Sequence, residues 1–477
     1  MALKFGTSGV RGLVEEMTDK ACYLYTRAFL LHLAEKSQAA AVALAGDHRS
    51  STPRIMGAVA RAILDHGAQL VNCGRTSTPA VASYAMARGW ASIMVTGSHI
   101  PDDRNGIKFN LPWGEVLKPD ELAITQHFAG LQKRDWPAFD AAEALDAPLA
   151  VDLRDVDGQA AVDYERRTTD FFVGRPLTGR KVVVYQHSSV SRESLPRVLE
   201  ALGAEVVRVG WSDAFVPVDT EAVAEPERLA AWVAEHEADA LVSTDGDGDR
   251  PLLVDEHGLV VRGDVLGILV SDFLDADVVV APVSCNGALE LCGRFAQTLR
   301  TRIGSPYVIE AMQAAAGRVV VGYEANGGYL THSDLVDGDR LLTALPTRDA
   351  FLPLVAALCS AATRNLPVSA LVADLPSRFT WSGVIRGIPT ERSAALVARL
   401  ERDADAVVTE LFAGANGPLA HLDFTDGARL TFDSGDVVHF RPSGNAPEFR
   451  CYTECDSTTR AEALNGEALE RVRALLS

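Results

Sequence analysis

Residues 90–101 are Trp-Ala-Ser-Ile-Met-Val-Thr-Gly-Ser-His-Ile-Pro, and the interpretation of the whole chain depends on this stretch. The apolar run 90–95 is typical of a buried strand, and Gly97 allows a close backbone approach in the turn that follows. Pro101 prevents the strand from continuing. Ser98 is therefore presented on a rigid turn at a strand end, a place that suits a nucleophile or a carrier of a transferable group. A turn whose serine only caps backbone groups explains these residues equally well.

The length and charge of the chain restrict its class. A chain of 477 residues exceeds what one hydrophobic core supports, which predicts several domains. A formal net charge of −19 disfavours broad nucleic-acid or anionic-membrane surfaces, because both need a basic face. An anionic substrate would require locally concentrated positive groups.

The cysteines and the apolar segments indicate the compartment. Seven cysteines are scattered without a C-x-x-C pair, which suits free thiols in a reducing environment. No apolar run reaches transmembrane length, and the first residues lack the apolar segment of a signal peptide. We expect a cytoplasmic protein that acts on small molecules, with neither nucleic acid nor membrane as a partner.

Short apolar runs alternate with amphipathic helical patterns, which predicts α/β layers. Four units are expected over residues 1–140, 141–258, 259–370 and 371–477; the first three are α/β domains, and the last ends in strand, loop and helix. In parallel α/β sheets, ligands bind beyond the carboxyl ends of the strands. Polar loops follow three predicted strands, at Ser92–Val95, Ala240–Ser243 and Val319–Gly322.

The second of these loops contains Asp245, Asp247 and Asp249, separated by glycines and followed by Arg250. Three carboxylates this close repel one another unless a cation lies among them. Oxygen ligands of this kind suit a hard divalent ion, and the prediction is Mg²⁺. A calcium EF-hand is disfavoured although Glu256 falls at loop position 12, because Arg250 stands where glycine is required and the flanks are predicted strands. A solvated acidic turn is the remaining alternative.

Three other segments carry polar groups that suit a sugar phosphate. Residues 441–450, Arg-Pro-Ser-Gly-Asn-Ala-Pro-Glu-Phe-Arg, combine two arginines with the backbone and side-chain donors that a phosphate monoester needs. Glu324 and Asn326 can bind two adjacent sugar hydroxyls. A glycine-rich N-terminal loop, residues 4–12, contains Arg11. Taken alone, each segment is also explained as an ordinary turn or an ordered start of the first domain.

Together, five motifs resemble the α-D-phosphohexomutase family, which includes phosphomannomutases, phosphoglucomutases and phosphoglucosamine mutases. In chain order they are T-S-G-V-R-G, T-G-S-H-I-P, D-G-D-G-D-R, E-A-N-G-G and R-P-S-G-N-A-P. The resemblance implies three related α/β domains with mixed sheets and a C-terminal α+β domain around a central cleft. It implies an isomerase, an intramolecular phosphotransferase, that acts through a phosphoserine and a hexose 1,6-bisphosphate intermediate.

The same resemblance implies the roles of individual residues. Ser98 would carry the phosphate, and the other catalytic residues would be His99, Lys108 and Arg11. Mg²⁺ would be held by the phosphate on Ser98 and by Asp245, Asp247 and Asp249. The expected substrate-binding residues are Arg250, Glu324, Asn326, Gly327, Arg441, Ser443, Gly444, Asn445 and Arg450. A hexose 1,6-bisphosphate would act as activator, and the enzyme would be a monomer or homodimer that takes sugar phosphates.

The chain departs from the common family pattern in three of these loops. In the phosphate loop, Asn445 replaces the usual threonine. Gly97 and Ile100 stand where the commonest serine loop has alanine and asparagine. Asn326 replaces a serine of the sugar loop, and Gly328 stands where many members carry a histidine with an acid/base role. His332, four residues further on, is the candidate substitute for that histidine.

These loops do not determine which sugar is bound. Contacts to the 3- and 4-hydroxyls cannot distinguish mannose from glucose, because the two sugars differ at carbon 2. General likeness to the bacterial phosphomannomutase branch favours the interconversion of mannose 6-phosphate and mannose 1-phosphate. Glucose and glucosamine phosphates are the alternatives. A non-catalytic sugar-phosphate-binding protein is disfavoured by the intact Ser98, Lys108 and three aspartates, and an aspartyl phosphatase by the absence of its motif order.

Overall fold

The structure is a computed structural model of the chain. It describes residues 3–6, 9–36, 40–136, 139–147, 149–152, 158–174, 177–412, 416–443 and 447–476. The chain divides into two compact units, the first formed by Met1–Val278 with Gly304–Val372 and the second by Val279–Ile303 with Ala373–Ser477. Among the described helices, none has the length and apolar character needed to span a membrane.

The first sheet of the first unit is mixed and carries the Ser98 turn. Its segment contains β1 Lys4–Phe5, β2 Gly9–Leu13, α1 Asp19–Glu35, β3 Ala41–Gly46, α2 Thr52–His66, β4 Gln69–Arg75, α3 Thr78–Met86, β5 Ala91–Val95, β6 Arg104–Leu111, β7 Gly114–Glu115 and α4 Lys118–Leu131. The strand order is β1-β2-β6-β5-β3-β4, with β7 beside β6. β3 and β5 are parallel and wholly buried, as expected of strands covered on both faces. The loops that follow them therefore lie at the same edge of the sheet.

The second sheet is also mixed, and it carries the aspartate loop. Its segment contains α5 Gln159–Phe172, β8 Lys181–His187, α6 Ser194–Ala201, β9 Glu205–Trp211, α7 Pro226–Glu235, β10 Ala240–Thr244, β11 Pro251–Asp255, β12 Val260–Val261 and α8 Gly263–Phe273. The strand order is β12-β11-β10-β8-β9, with β8 parallel to both β9 and β10. β10 and β11 are antiparallel, and Thr244 pairs with Pro251. Residues 245–250 are thus the turn between two strands.

The third segment supplies the sugar loop. It contains β13 Val278–Pro282, α9 Ala288–Leu291, β14 Gln297–Thr301, α10 Ser305–Ala314, β15 Val320–Tyr323, β16 Tyr329–Thr331, β17 Leu335–Asp337, β18 Arg340–Leu342, β19 Leu345–Asp349, α11 Phe351–Thr363 and α12 Val368–Ala373. Within the first unit, β16 is antiparallel to both β15 and β19. Glu324 follows β15 directly, and Arg348 lies on β19.

The second unit contains an antiparallel sheet with helices. Its elements after Ala373 are β20 Phe379–Arg386, α13 Thr390–Arg402, α14 Ala404–Phe412, β21 Leu419–Asp423, β22 Ala428–Phe432, β23 Val437–Pro442, β24 Glu448–Cys455 and α15 Thr458–Leu476. The strand order is β20-β24-β23-β22-β21, and every pair is antiparallel. The predicted fold class, α/β domains with mixed sheets and an α+β C-terminal segment, is confirmed. The boundaries of the four domains stay a prediction.

A close approach between α8 and β15 fixes the strand that ends at the sugar loop. A Cβ added to Gly267 on α8 would lie 2.4 Å from Cγ of Tyr323. Tyr323 is fully buried and immediately precedes Glu324. A glycine at position 267 is therefore what allows the helix to pack directly on the ring of Tyr323.

Replacement of Gly267 by alanine should destabilise the protein by about 1–3 kcal/mol, the usual cost of overfilling a packed core. The free energy of unfolding in urea measures this effect. Gly130→Ala is the matched control, because Gly130 lies in α4 and an added Cβ meets nothing within 4 Å. That change should be neutral or stabilising by up to about 1 kcal/mol. Equal effects at the two positions would contradict the packing argument.

Candidate active site

Ser98 is held in an unusual backbone conformation at the end of β5. Its φ angle is +59°, in the left-handed region that non-glycine residues rarely occupy and that costs of order 1–3 kcal/mol. The residue is fully buried, and its backbone N–H donates to Thr96 Oγ1 at 2.8 Å. Its hydroxyl donates to Asp245 Oδ2 at 2.5 Å, and His99 Nδ1 lies 3.3 Å from the same Oγ. The serine predicted from the first sheet therefore meets the aspartate loop of the second sheet.

Arg49, in the loop after β3, holds this turn. Its guanidinium donates to four carbonyl oxygens at 2.5–2.9 Å, those of Ser98, Ile100, Pro101 and Arg104. Its Nε donates to Asp47 Oδ2 at 3.2 Å, and the arginine is almost completely buried. A Cβ added to Gly97 would lie 2.6 Å from Cζ of Arg49. Glycine at position 97 is thus explained by the guanidinium that packs against it.

Asp245, Asp247 and Asp249 converge as the sequence predicted. All three are fully buried, and one carboxylate oxygen of each lies within 4.8 Å of the others. Among the described residues, Asp247 Oδ1 and Asp249 Oδ1 are buried without a hydrogen-bond partner. Because a buried oxygen without a hydrogen-bond partner is costly and oxygen donors suit hard cations, the three side chains fit a divalent ion. The turn between antiparallel strands rules out the EF-hand for this loop.

Cations and a hydroxyl surround the three aspartates. Lys108 Nζ lies 2.6 Å from both Asp247 Oδ2 and Asp249 Oδ2. Thr78 Oγ1, at the start of α3, donates to Asp247 Oδ2 at 2.5 Å. Arg250 Nε lies 4.0 Å from Asp245 Oδ2 and 3.9 Å from Asp249 Oδ1. The structure thus brings Lys108 to Asp247 and Asp249, and it brings Arg250 to Asp245, whose carboxylate also accepts from the Ser98 hydroxyl.

The pKa values of the two carboxyl groups at the ends of the aspartate cluster are shifted in opposite directions. Burial, followed by the charges of Asp247 and Asp249, raises the pKa of Asp245 well above its ordinary value. Burial also opposes ionisation of Asp249, but Arg348 and Lys108 outweigh it and lower the pKa of that carboxyl. The carboxyl beside Ser98 is therefore the one that most needs a further cation.

Arg11 and His99 lie in a positively charged environment. Burial and the neighbouring Arg250 lower the pKa of Arg11 to about 10. Burial and Arg250 also lower the pKa of His99 to about 3. At neutral pH Arg11 remains a cation, whereas His99 is a neutral ring beside the Ser98 hydroxyl. This combination of a cation and a neutral ring suits the binding of an anionic group beside Ser98.

The sugar loop is a tight turn that holds its polar groups in the interior. Gly327 has a φ angle of +85°, and its N–H donates to the carbonyl of Glu324 at 2.9 Å. The N–H of Gly328 donates to Asn326 Oδ1 at 2.9 Å. Glu324 and Asn326 are both 6% exposed. Glu324 is joined to the aspartates through Arg348, whose Nη1 lies 3.1 Å from Glu324 Oε2 and whose Nε lies 3.0 Å from Asp249 Oδ2.

The predicted phosphate loop lies in the second unit. Arg441 on β23 and Arg450 on β24 pair across the sheet. Arg441 Nε donates to Asp426 Oδ2 at 2.9 Å, and the N–H of Ser443 donates to the carbonyl of Glu448 at 2.9 Å. Arg441, Ser443 and Arg450 therefore lie on one end of a strand pair. Gly444 and Asn445 lie outside the described residues, as do Thr7 and Ser8 of the N-terminal motif.

Three residues of the site, Arg49, Thr78 and Arg348, were not predicted from the sequence. Arg49 had a signal, because it follows a strand in the same kind of polar loop as Ser98. Thr78, which precedes Pro79, has in the sequence only the signal of a helix start. Arg348 does not follow a glycine-rich pattern, and no feature of the sequence identified it as a residue of the site. The proposed substitute His332 is exposed, and Arg348 fills the space beside Gly328.

Comparison with known proteins agrees with this geometry. Three sequence models described as phosphoglucomutase/phosphomannomutase alpha/beta/alpha domains I, II and III match residues 2–135, 165–258 and 262–379. The chain belongs to this family. The phosphoglucomutase/phosphomannomutase family thus accounts for the mixed sheets and for the order of the loops.

Named relatives extend the match to almost the whole chain. A phosphomannomutase of Sinorhizobium fredii is 44% identical, with 98% of each chain covered. A phosphomannomutase of Salmonella muenchen is 40% identical, with 99% of this chain and 96% of the relative covered. A phosphoglucosamine mutase of Geobacillus kaustophilus is 32% identical over 72% of this chain and 77% of its own. These relatives are isomerases of the phosphohexomutase type, and so is this chain.

Solved structures support the same fold. A phosphoglucomutase/phosphomannomutase family protein from Burkholderia thailandensis matches with a TM-score of 0.76 and 20% identity. The match covers 98% of this chain and 97% of that one. At this identity the likeness concerns the fold alone.

Arg49→Lys should loosen the Ser98 turn, because a lysine cannot donate to four carbonyl oxygens at once. We expect amide hydrogen exchange over residues 97–104 to become at least about tenfold faster, since those amides then open at lower free energy cost. Arg88→Lys is the control, because Arg88 packs over Tyr84 and pairs with Asp163 near the surface. Unchanged exchange over 97–104 in Arg49→Lys would contradict the role assigned to Arg49.

Burial of His187 makes the free energy of unfolding decrease at acidic pH. Its Nε2–H donates to the carbonyl of Thr244 at 2.8 Å, just before the aspartate loop, and burial lowers its pKa to about 4. The unfolded chain, with an ordinary histidine pKa near 6.5, then binds more protons than the folded chain between about pH 4 and pH 6.5. Stability is therefore fully present above this window and is lost as pH falls through it. His187→Gln should flatten the slope of unfolding free energy against pH by up to about 1.4 kcal/mol per pH unit.

Urea unfolding at a series of pH values between 4 and 7 measures this slope. His257→Gln is the control, because His257 is exposed after β11. A slope that changes equally in both variants would show that burial of His187 is not the cause.

Proposed function

We propose that the chain is a phosphomannomutase that interconverts mannose 6-phosphate and mannose 1-phosphate through a phosphoserine at Ser98 and a hexose 1,6-bisphosphate. The observation that carries the reaction is the contact between the Ser98 hydroxyl and Asp245 within a buried cluster of three carboxylates. The two relatives named phosphomannomutase are 44% and 40% identical over nearly the whole chain, whereas a phosphoglucosamine mutase is 32% identical over 72% of it, and a probable one that covers 99% is 26% identical. This difference favours mannose over glucosamine phosphates.

Asp245, Asp247 and Asp249 would hold Mg²⁺ together with an oxygen of the phosphoserine. The bound ion would neutralise negative charge on the phosphoryl group during transfer. Asp247 Oδ1 and Asp249 Oδ1, which have no hydrogen-bond partner among the described residues, support this assignment. A hexose 1,6-bisphosphate would act as activator, because it can phosphorylate Ser98 when the serine is free.

The transfer step exchanges one oxygen–phosphorus bond for another. The bond from Ser98 Oγ to phosphorus breaks, and a bond forms from phosphorus to the hydroxyl oxygen on carbon 1 or carbon 6 of the sugar monophosphate. His99, whose Nδ1 lies 3.3 Å from Ser98 Oγ, would exchange a proton with the reacting oxygens, so that the proton of the attacked hydroxyl passes to Ser98 Oγ. Lys108, Arg11 and Arg250 stabilise the charge on the oxygens during transfer.

The second half of the cycle returns a phosphate to the enzyme. The bisphosphate turns over, its other phosphate passes to Ser98, and the isomeric monophosphate leaves. Glu324, Asn326 and Gly327 would bind sugar hydroxyls that are presented in both orientations. The phosphate that is not reacting would be gripped by Arg441, Ser443, Gly444, Asn445 and Arg450. The side chains of two arginines on adjacent strands support this role.

Several finer assignments stay predictions. One prediction is the division into four domains at 1–140, 141–258, 259–370 and 371–477. The matched family ranges support the first three of these domains. The others are a cytoplasmic location, a monomer or homodimer, and small sugar phosphates as the partners.

The proposal is tested with purified protein, Mg²⁺ and a trace of glucose 1,6-bisphosphate. Mannose 1-phosphate, glucose 1-phosphate and glucosamine 1-phosphate are supplied in turn, and formation of the 6-phosphate is followed. We expect the highest kcat/KM with mannose 1-phosphate. A clear preference for either of the other sugars would correct the substrate and leave the mechanism in place.

Ser98→Ala should abolish phosphorylation of the protein, measured as intact mass after incubation with the bisphosphate. Turnover should fall by about 10³-fold or more, because the group that carries the phosphate is gone. Ser92→Ala is the matched control: Ser92 is buried on β5, where its Oγ accepts from Asn110 Nδ2 at 3.2 Å. Full phosphorylation and activity in Ser98→Ala would show that the mechanism is wrong.

A further inference from the structure

Arg348 joins two loops that are far apart in the sequence. Its side chain is 5% exposed, and its guanidinium reaches Asp249 Oδ2 with Nε at 3.0 Å and Glu324 Oε2 with Nη1 at 3.1 Å. Asp249 belongs to the aspartate loop after β10, and Glu324 belongs to the sugar loop after β15. A planar guanidinium can donate in two directions at once, which a lysine ammonium on a flexible stem does far less well.

The path of this side chain depends on a glycine. A Cβ added to Gly328 would lie 2.6 Å from both Cδ and Cγ of Arg348. Side chains essentially never approach that closely, so any other residue at position 328 would displace the arginine. Gly328 and Arg348 are therefore a matched pair: the absence of a side chain on the sugar loop makes room for one from β19.

The backbone around Arg348 is anchored on both sides. Thr347 Oγ1 donates to Glu115 Oε1 at 2.8 Å. Asp349 accepts from the hydroxyl of Tyr164 at 2.5 Å and from Arg167 Nη1 at 2.7 Å. The guanidinium thus extends from a fixed strand end, and its two carboxylate partners are located with respect to that strand.

We propose that Arg348 is a positioning residue that sets the orientation of Asp249 and Glu324 together, and so couples the metal loop to the sugar loop. The inference rests on the proposed function, because it assigns metal binding to Asp249 and sugar binding to Glu324. Arg348 and Lys108 both bind Oδ2 of Asp249. They hold the carboxylate with its other oxygen, Oδ1, available to an ion.

Arg348→Lys tests the coupling with the charge retained, so that a change reports geometry and not net charge. The first readout is the affinity of the free protein for Mg²⁺, measured by calorimetry without sugar or bisphosphate. Loss of a group that orients a metal ligand typically weakens binding 10- to 100-fold, and this is the expected result. The second readout is KM for mannose 1-phosphate, which should rise at least about tenfold, with a smaller change in kcat.

Arg167→Lys is the matched control, because Arg167 is an equally buried arginine whose partner, Asp349, is adjacent to Arg348. It should leave Mg²⁺ affinity and KM within about twofold of the unchanged protein. Thermal unfolding shows whether each variant is folded. If Arg167→Lys reproduces both effects, Arg348 has only a general structural role and the proposal is overturned.

Gly328→Ala provides a second variant that leaves Arg348 in the sequence. The added methyl group should displace the guanidinium and weaken Mg²⁺ binding and raise KM in the same direction as Arg348→Lys. In an Arg348→Ala background, where Cγ and Cδ are absent, the same methyl group should have no further effect on either quantity. Additive effects of Gly328→Ala and Arg348→Ala would contradict the matched pair.

The outcomes separate this proposal from the proposed function. If the unchanged protein converts no hexose phosphate but Arg348→Lys weakens Mg²⁺ binding, the function fails and the orientation of Asp249 by Arg348 stands. If the unchanged protein is an active mutase and Arg348→Lys alters neither quantity, or only one of them, the coupling is wrong and the function stands.

Discussion

Three carboxylates buried within 4.8 Å of one another are the constraint on which the rest of the site depends. Such a cluster is strongly self-repelling in a low-dielectric interior, so it exists only where cations and hydrogen-bond donors are built around it. Lys108, Arg250 and Arg348 supply the charge, and Thr78 supplies a hydroxyl. These groups come from separate sheets of the first unit. The need to compensate the aspartates therefore brings the serine turn, the aspartate loop and the sugar loop together.

Glycines provide the room for this compensation. Gly97 lies against the guanidinium of Arg49, and Gly328 lies against the side chain of Arg348. Both positions depart from the common family pattern, and at both a buried arginine occupies the space that a side chain would take. Each of these glycines is thus paired with an arginine that is distant in the sequence: Gly97 with Arg49, and Gly328 with Arg348.

Much of this could be predicted from the sequence, because the strands are apolar runs and their polar loops follow immediately. The predicted strand Ala240–Ser243 is followed almost directly by the aspartate loop, and the alternation of aspartate with glycine is enough to predict a cation site there. The family resemblance implied a place for Lys108 near the transferred phosphoryl group, but its contacts with Asp247 and Asp249 were not predicted. Arg348 could not be predicted, because its role depends on β19 lying beside β16 and on empty space at Gly328. His332 was proposed as the substitute for the loop histidine because it is near in sequence. In the structure, the space beside Gly328 is occupied by Arg348, which comes from β19.

The electrostatics explain how an acidic protein can bind an anionic substrate. The chain carries a net charge of −19, yet Arg11, Arg250, Arg348 and Lys108 lie around one cluster. Burial, followed by repulsion from Arg250 and to a smaller extent from Arg348, lowers the pKa of Arg11 to about 10. A phosphate group, with close to two negative charges at neutral pH, would relieve that repulsion when it binds. The positive groups that the overall composition lacks are thus concentrated at Ser98, where the proposed transfer needs them.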